Sequence, residues 1–166
     1  ISKELIIRIN FINFHELKNL EKIVFNLSLK EISLNKNDSE IVNNFLAIYF
    51  ITGSVPNLTF AKKTNLKLKF QKQNHSGLKL ILKKKAAFKF LDFFIHFTLP
   101  RLKNFKPIQK KDNNGNLTIY ISNLLRFLQL EINYKHFHLI KDLTITFVFN
   151  SQKQSNYLIS SLRIPK

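Results

Sequence analysis

Two short stretches of strict alternation constrain this chain more than anything else in it. In Leu66–Phe70 the apolar Leu66, Leu68 and Phe70 are separated by Lys67 and Lys69; Leu78, Leu80 and Leu82 alternate with Lys79, Ile81 and Lys83. Successive side chains of a strand point to opposite faces, so a period of two requires extended backbone with one greasy and one basic face. Between the runs, Gln71–Gly77 reads Q-K-Q-N-H-S-G, a turn composition. The two runs are therefore expected to pair as a hairpin whose tip exposes Lys72 and His75. Such a tip is expected to be dispensable for folding, so that deleting Asn74–Ser76 would leave the fold intact.

The remaining pattern alternates strands with helices. Lys22–Leu29 (K-I-V-F-N-L-S-L), Leu117–Ile121 and Leu143–Phe149 read as strands. Residues 3–13 place Leu5, Ile6, Ile9 and Ile12 at helical spacing. A second helix is expected from a cap at Asn37 or Ser39 to about Thr52, with Gly53 at the position after its end and Pro56 beyond. A third runs from about Ala86 to a stop at Pro100, with Phe88, Leu91, Phe94 and Ile95 toward the core. A fourth spans about Gln152–Leu162, capped by Ser151, and Lys106–Asn116 reads as a polar loop. The fold class is α+β: an antiparallel sheet with helices packed on one face and a protruding basic β-hairpin loop, forming a single domain over residues 1–166.

Charge is the second constraint. The chain carries a formal net charge of +17, and the segment Ile41–Lys111 holds 15 of the 27 Lys and Arg residues against one acid, Asp92. A positive field confined to one stretch points to a polyanionic partner, with nucleic acid first among them. Hydrophobic residues make up 45% of the 166, too many for a disordered basic tail. The absence of cysteine excludes disulfides, thiolate metal sites and a cysteine nucleophile. Phe, Ile, Lys, Asn and Leu prevail over Gly, Ala and Arg, a bias toward AT-rich codons that fits a mitochondrial or plastid genome. The most apolar run, Phe88–Leu99, is broken by Lys89, Asp92 and His96 and falls short of the ~20 residues of a membrane helix. Neither a signal peptide nor a membrane partner is expected.

The order of several blocks then resembles a known family, the universal large-subunit ribosomal protein L-five family. Ile51–Thr64 (I-T-G-S-V-P-N-L-T-F-A-K-K-T) resembles its I-[ST]-G-x-x-P-x-x-T-x-A-[RK]-K-S block. Lys22–Glu31 is similar to its first strand, and the hairpin with Gly77 at its second shoulder is similar to its protruding loop. Phe90–Phe105 (F-L-D-F-F-I-H-F-T-L-P-R-L-K-N-F) is similar to its F-[LF]-[DE]-x-[LF]-I-x-x-x-[LV]-P-R-x-[RK]-[DN]-F block. Gly115–Asn116, Glu131–Tyr134 and Leu143–Thr146 match its C-terminal blocks. There are departures: the glycine after the first strand is Lys30 or Ser28, the proline before E-I-N-Y is Leu130, and Lys83–Lys84–Lys85–Ala86–Ala87 replaces a mixed-charge helix start.

The resemblance implies a structural constituent of the large subunit's central protuberance. Its partners would be 5S rRNA or its replacement, large-subunit rRNA, peptidyl-site tRNA and neighbouring ribosomal proteins, including a small-subunit bridge partner. It implies rRNA contacts by Thr59, Lys62, Lys63, Thr64, Lys67 and Lys69. Arg101, Lys103 and Lys106, which follow Pro100, would form a second phosphate-facing set, and Lys72, Gln73, Asn74 and His75 would touch tRNA. The expected location is the mitochondrion, on its ribosome, with the plastid as alternative.

Each assignment has a plainer competitor. The lysines could form a solvated face, the tip could be an ordinary turn, and Arg101 and Lys103 could complement the preceding helix C-terminus. The Phe-rich helix reads as core rather than as a base-stacking surface. A generic basic RNA-binding accessory factor of an organelle is the alternative function. Catalysis finds no paired carboxylates, nucleophile elbow or glycine-rich loop, and His136 with His138 makes only two potential metal ligands. No enzyme activity, metal or cofactor is expected.

Overall fold

The computed structural model describes residues 20–29, 38–64, 72, 75–102, 110–111, 115–137, 140 and 142–149. The expected helices over residues 3–13 and 152–162 lie outside them, as do Leu66–Phe70. The fold is α+β with an antiparallel sheet. Its strands are β1 (Leu20–Ser28), β2 (Asn57–Phe60), β3 (His75–Lys83), β4 (Lys110–Lys111), β5 (Leu117–Ile121) and β6 (Leu143–Phe149). They lie in the order β2-β3-β1-β6-β5-β4, which makes β2 and β4 the edges.

The strand expectations for β1, β5 and β6 hold. Along β6 buried and half-buried residues alternate, with Leu143, Ile145, Phe147 and Phe149 buried. Within β5, Leu117, Ile119 and Ile121 are buried in the same way. In the middle segment, the expected partner of Leu78–Leu82, Leu66–Phe70, lies outside the described residues. Strand β3 pairs antiparallel with β2, Asn57 opposite Lys79 and Thr59 opposite Gly77. His75, Ser76 and Gly77 thus belong to a strand, not to a turn. Turn-forming residue types tolerate strand backbone when a neighbouring strand satisfies their amides.

The described residues divide into two compact units: one takes in those within 20–23, 82–119 and 146–149, the other those within 24–81 and 120–145. In the second unit, helix α1 (Asp38–Thr52) buries Asn44, Ala47, Ile48 and Ile51, a stripe at i, i+3, i+4, i+7. The Asn44 side chain donates to the Glu40 carbonyl at 2.8 Å, which satisfies a buried amide within its own helix. Gly53 closes α1 in the left-handed region (φ 66°), and its N–H donates to the Tyr49 carbonyl at 2.7 Å. A short helix, α3 (Leu128–Glu131), and a further turn, α4 (Tyr134–Phe137), pack against α1, with the Phe50 and Phe137 rings edge to face at 6.0 Å.

In the first unit, helix α2 (Lys84–Phe93) continues through a wide π-helical turn (Phe94–Thr98) into a 3₁₀ turn (Leu99–Arg101). Pro100 therefore does not stop the helical path; it sits inside its last turn. A proline ring clashes with the carbonyl four residues back. Widening relieves this clash, and Leu99 N–H reaches five residues back to the Phe94 carbonyl. The buried face is Ala87, Phe90, Leu91, Phe94 and Thr98, with Phe94 against Phe147 at 5.9 Å. Phe88 is 44% exposed and Phe97 53%, so only part of the Phe-rich helix is core. The expectation that Phe88 faces inward is corrected: Phe90 takes that place.

Candidate nucleic-acid interface

Strand β2 ends in the segment that carries the proposed contacts. Thr59 lies on β2, half-buried, and its hydroxyl hydrogen-bonds with the Ser76 hydroxyl at 3.2 Å. Ser76 in turn donates to the Thr59 carbonyl at 3.1 Å. The Thr59 side chain therefore ties β2 to β3 and fixes where the chain leaves the sheet. Immediately beyond, Lys62, Lys63 and Thr64 are all exposed. Neither lysine is paired with a described acid, so both ammonium groups are available to an anion. Lys67 and Lys69 lie outside the described residues.

Arg101 is exposed at the end of the 3₁₀ turn, while Lys103 lies outside the described residues. Of the expected tRNA loop, Lys72 is exposed in a turn and Gln73 and Asn74 are outside the described residues. The structure places His75 in a strand rather than at the tip of a turn. It sits in β3 opposite Phe60, is only half exposed, and holds its ring 5.0 Å from the Phe60 ring. A residue that is paired across a strand ladder and covered on one side is not a free loop tip.

Sequence reasoning left two groups of residues unassigned. The first is Phe60, 55% exposed on the edge strand; the T-x-A-K-K pattern treats that position as a spacer. The second is Lys83, Lys84 and Lys85, all exposed around the start of α2, where no acid occupies the first turn and no side chain caps it. Lysines there face the positive end of the helix dipole, an arrangement costing about 0.3–1 kcal/mol each at the surface unless an anion offsets it. Lys84 also adopts a left-handed backbone (φ 53°). Among the described residues no three His, Asp or Glu side chains gather into a metal-binding group, and no helix is long and apolar enough to cross a membrane.

A family model described as "ribosomal L5P family C-terminus" matches residues 75–165. This chain belongs to the ribosomal L5 family. It is 32% identical over 161 residues to the large ribosomal subunit protein uL5 of Synechococcus sp. (strain JA-2-3B'a(2-13)), covering 95% of this chain and 87% of that protein. It is 29% identical over 166 residues to the protein uL5m of Reclinomonas americana, covering 98% and 90%. With uL5c of Chlorokybus atmophyticus it shares 31% over 157 residues, covering 92% and 83%. These relatives extend across the Ile51–Thr64 block, which precedes the family-model match. Proteins of the L5 family are structural constituents and not enzymes, and this chain is no exception.

Proposed function

We propose that this protein is a constituent of the large subunit of an organellar ribosome, the mitochondrial one, where the chain acts as a single RNA-binding domain of the central protuberance. The observation that carries the reading is the exposed, acid-free Lys62–Lys63–Thr64 segment leaving an edge strand, in a chain of the L5 family with a net charge of +17. These lysines, with Lys67 and Lys69, hold phosphates of 5S rRNA or its replacement and of large-subunit rRNA. Thr59 serves the same surface by fixing the direction in which the segment leaves β2. Arg101 and Lys103 form a second phosphate-facing set.

The residues around Lys72, Gln73, Asn74 and His75 approach peptidyl-site tRNA, and neighbouring proteins include a bridge partner on the small subunit. Lysine far outnumbers arginine in the basic segment, which favours contact with the RNA backbone over bidentate reading of base edges. Such a protein recognises one folded RNA by its shape. Crosslinking in the native ribosome followed by sequencing of the attached RNA tests the reading. Crosslinks from residues 59–69 to rRNA of the central protuberance are expected. Crosslinks scattered over unrelated RNAs would instead make the protein a generic basic binder.

A further inference from the structure

Phe60 is placed oddly for an apolar side chain. The register of the β2–β3 ladder shifts between Thr59 and Phe60, an irregularity of the kind that re-aims a side chain. Phe60 then pairs with His75, and the two rings lie 5.0 Å apart at an interplanar angle of 40°. One side of the Phe60 ring is thus backed by an aromatic neighbour, yet the residue stays 55% exposed. An exposed aromatic on an edge strand invites unwanted pairing, and proteins commonly protect such edges. Here the next exposed residues are Lys62 and Lys63.

We propose that Phe60 is a stacking platform for one unpaired RNA base, with Lys62 and Lys63 holding phosphates of the same strand. The inference rests on the RNA-binding reading above and adds to it a residue that reads no phosphate. The favoured occupant follows from the pairing of chemistries: an unpaired nucleotide offers a π-face and an adjacent negative charge, matching a ring and two ammonium groups. A protein partner matches poorly, because the buried centres of protein interfaces are depleted in lysine. Proteins that recognise RNA take unpaired bases and stack them on Phe, Tyr, Trp or His. Such stacking tolerates any base identity. The His75 ring behind Phe60 limits the motion of the platform, so less side-chain freedom is lost when a base arrives.

The test uses the full-length protein and an RNA hairpin with a six-nucleotide loop, carrying 2-aminopurine at each loop position in turn. A blunt duplex of equal charge serves as comparison. Phe60→Ala is expected to weaken hairpin binding on the order of tenfold, leave the salt slope unchanged and leave duplex binding unchanged. Quenching of 2-aminopurine at one loop position is expected with the native protein and with Phe60→Trp, and not with Phe60→Ala. Removing the base at that position should weaken binding by the native protein and leave Phe60→Ala unaffected.

Rescue by Phe60→Leu would overturn the proposal, since it would make the contact apolar rather than stacked. So would hairpin affinity unchanged in Phe60→Ala while the native protein keeps its steep salt dependence; the lysine reading would then survive. Native protein with no salt-dependent affinity for either RNA would sink the RNA-binding reading itself. A melting temperature common to the native protein and all three variants confirms that the comparisons report binding.

Discussion

A β-carbon on Gly77 would lie 2.6 Å from the backbone oxygen of Leu27 and 3.3 Å from the Thr59 hydroxyl. Gly77 sits on β3 with β2 on one side and β1 on the other. The adjoining backbone bond, from Leu29 N–H to the Ser76 carbonyl at 3.2 Å, holds β1 and β3 together at the same point. The obstacle is backbone rather than a flexible side-chain end, so it cannot swing aside. Gly77→Ala should therefore destabilise the fold by about 1–3 kcal/mol, as overpacking does. At this chain length that corresponds to a fall of roughly 2–12 °C in Tm by calorimetry. An unchanged Tm would show that the strands separate at no cost.

The inward face of α2 yields a paired prediction. Phe94 is fully buried, stacked on Phe90 at 5.8 Å and tilted against Phe147 at 5.9 Å. Truncating such a ring removes its transfer energy and leaves a cavity, so Phe94→Ala should cost about 3–5 kcal/mol. Phe88 is 44% exposed on the same helix, and Phe88→Ala should stay within about 0.5 kcal/mol. Chemical denaturation of both variants checks the face assignment, and equal losses would refute it.

That pair also shows what the sequence could reveal. The spacing of Leu143–Phe149 and the glycine at 53 are local signals, and both elements formed where those signals point. The Phe-rich helix has apolar residues around most of its circumference. Stripes through Phe88, Leu91 and Phe94 or through Ala87, Phe90, Leu91 and Phe94 satisfy helical spacing equally well, and only packing decides between them. Strand β2 has four residues, too few for a periodic signal, and its extended state depends on β3. The same dependence reverses the expectation for a deletion of Asn74–Ser76: it would remove His75 and Ser76 from the ladder, along with the Ser76 bonds to Thr59 and Leu29. Within the candidate interface, the lysines were legible by composition. Phe60 was not, because its exposure depends on β2 being an edge strand, which no residue type announces.

Lys62 and Lys63 should report their phosphate contacts through salt. Each phosphate neutralised contributes about −0.7 to −0.9 to the slope of log affinity against log salt. Lys62→Ala with Lys63→Ala should weaken rRNA binding and flatten the slope by about 1.5. Both side chains are exposed, so the melting temperature should stay close to that of the native protein. Titration of binding from low to high potassium chloride measures the slope directly, and an unchanged slope would remove both residues from the interface.

The Tyr120 hydroxyl donates to the Asp142 carboxylate, and Asp142 holds a left-handed backbone (φ 68°). That hydrogen bond pushes the tyrosine pKa above its ordinary value, with burial and the carboxylate charge adding to the effect. Ionising Tyr120 removes the donor and places a second negative charge beside the first. Because the folded pKa is raised, the stabilisation is fully present below the unfolded value of about 10 and is lost as pH rises through the folded value. Tyr120 is 47% exposed, so solvent screens the pair and the effect is small. Tyr120 should ionise late in an ultraviolet titration, and Tyr120→Phe should remove that late step. Asp142→Asn should bring the step back toward the ordinary tyrosine range. The stability gap between the native protein and Tyr120→Phe should hold steady from neutral pH to about 10 and close above it. A gap that persists in strong alkali would mean that ring packing, not the hydrogen bond to Asp142, is what Tyr120 contributes.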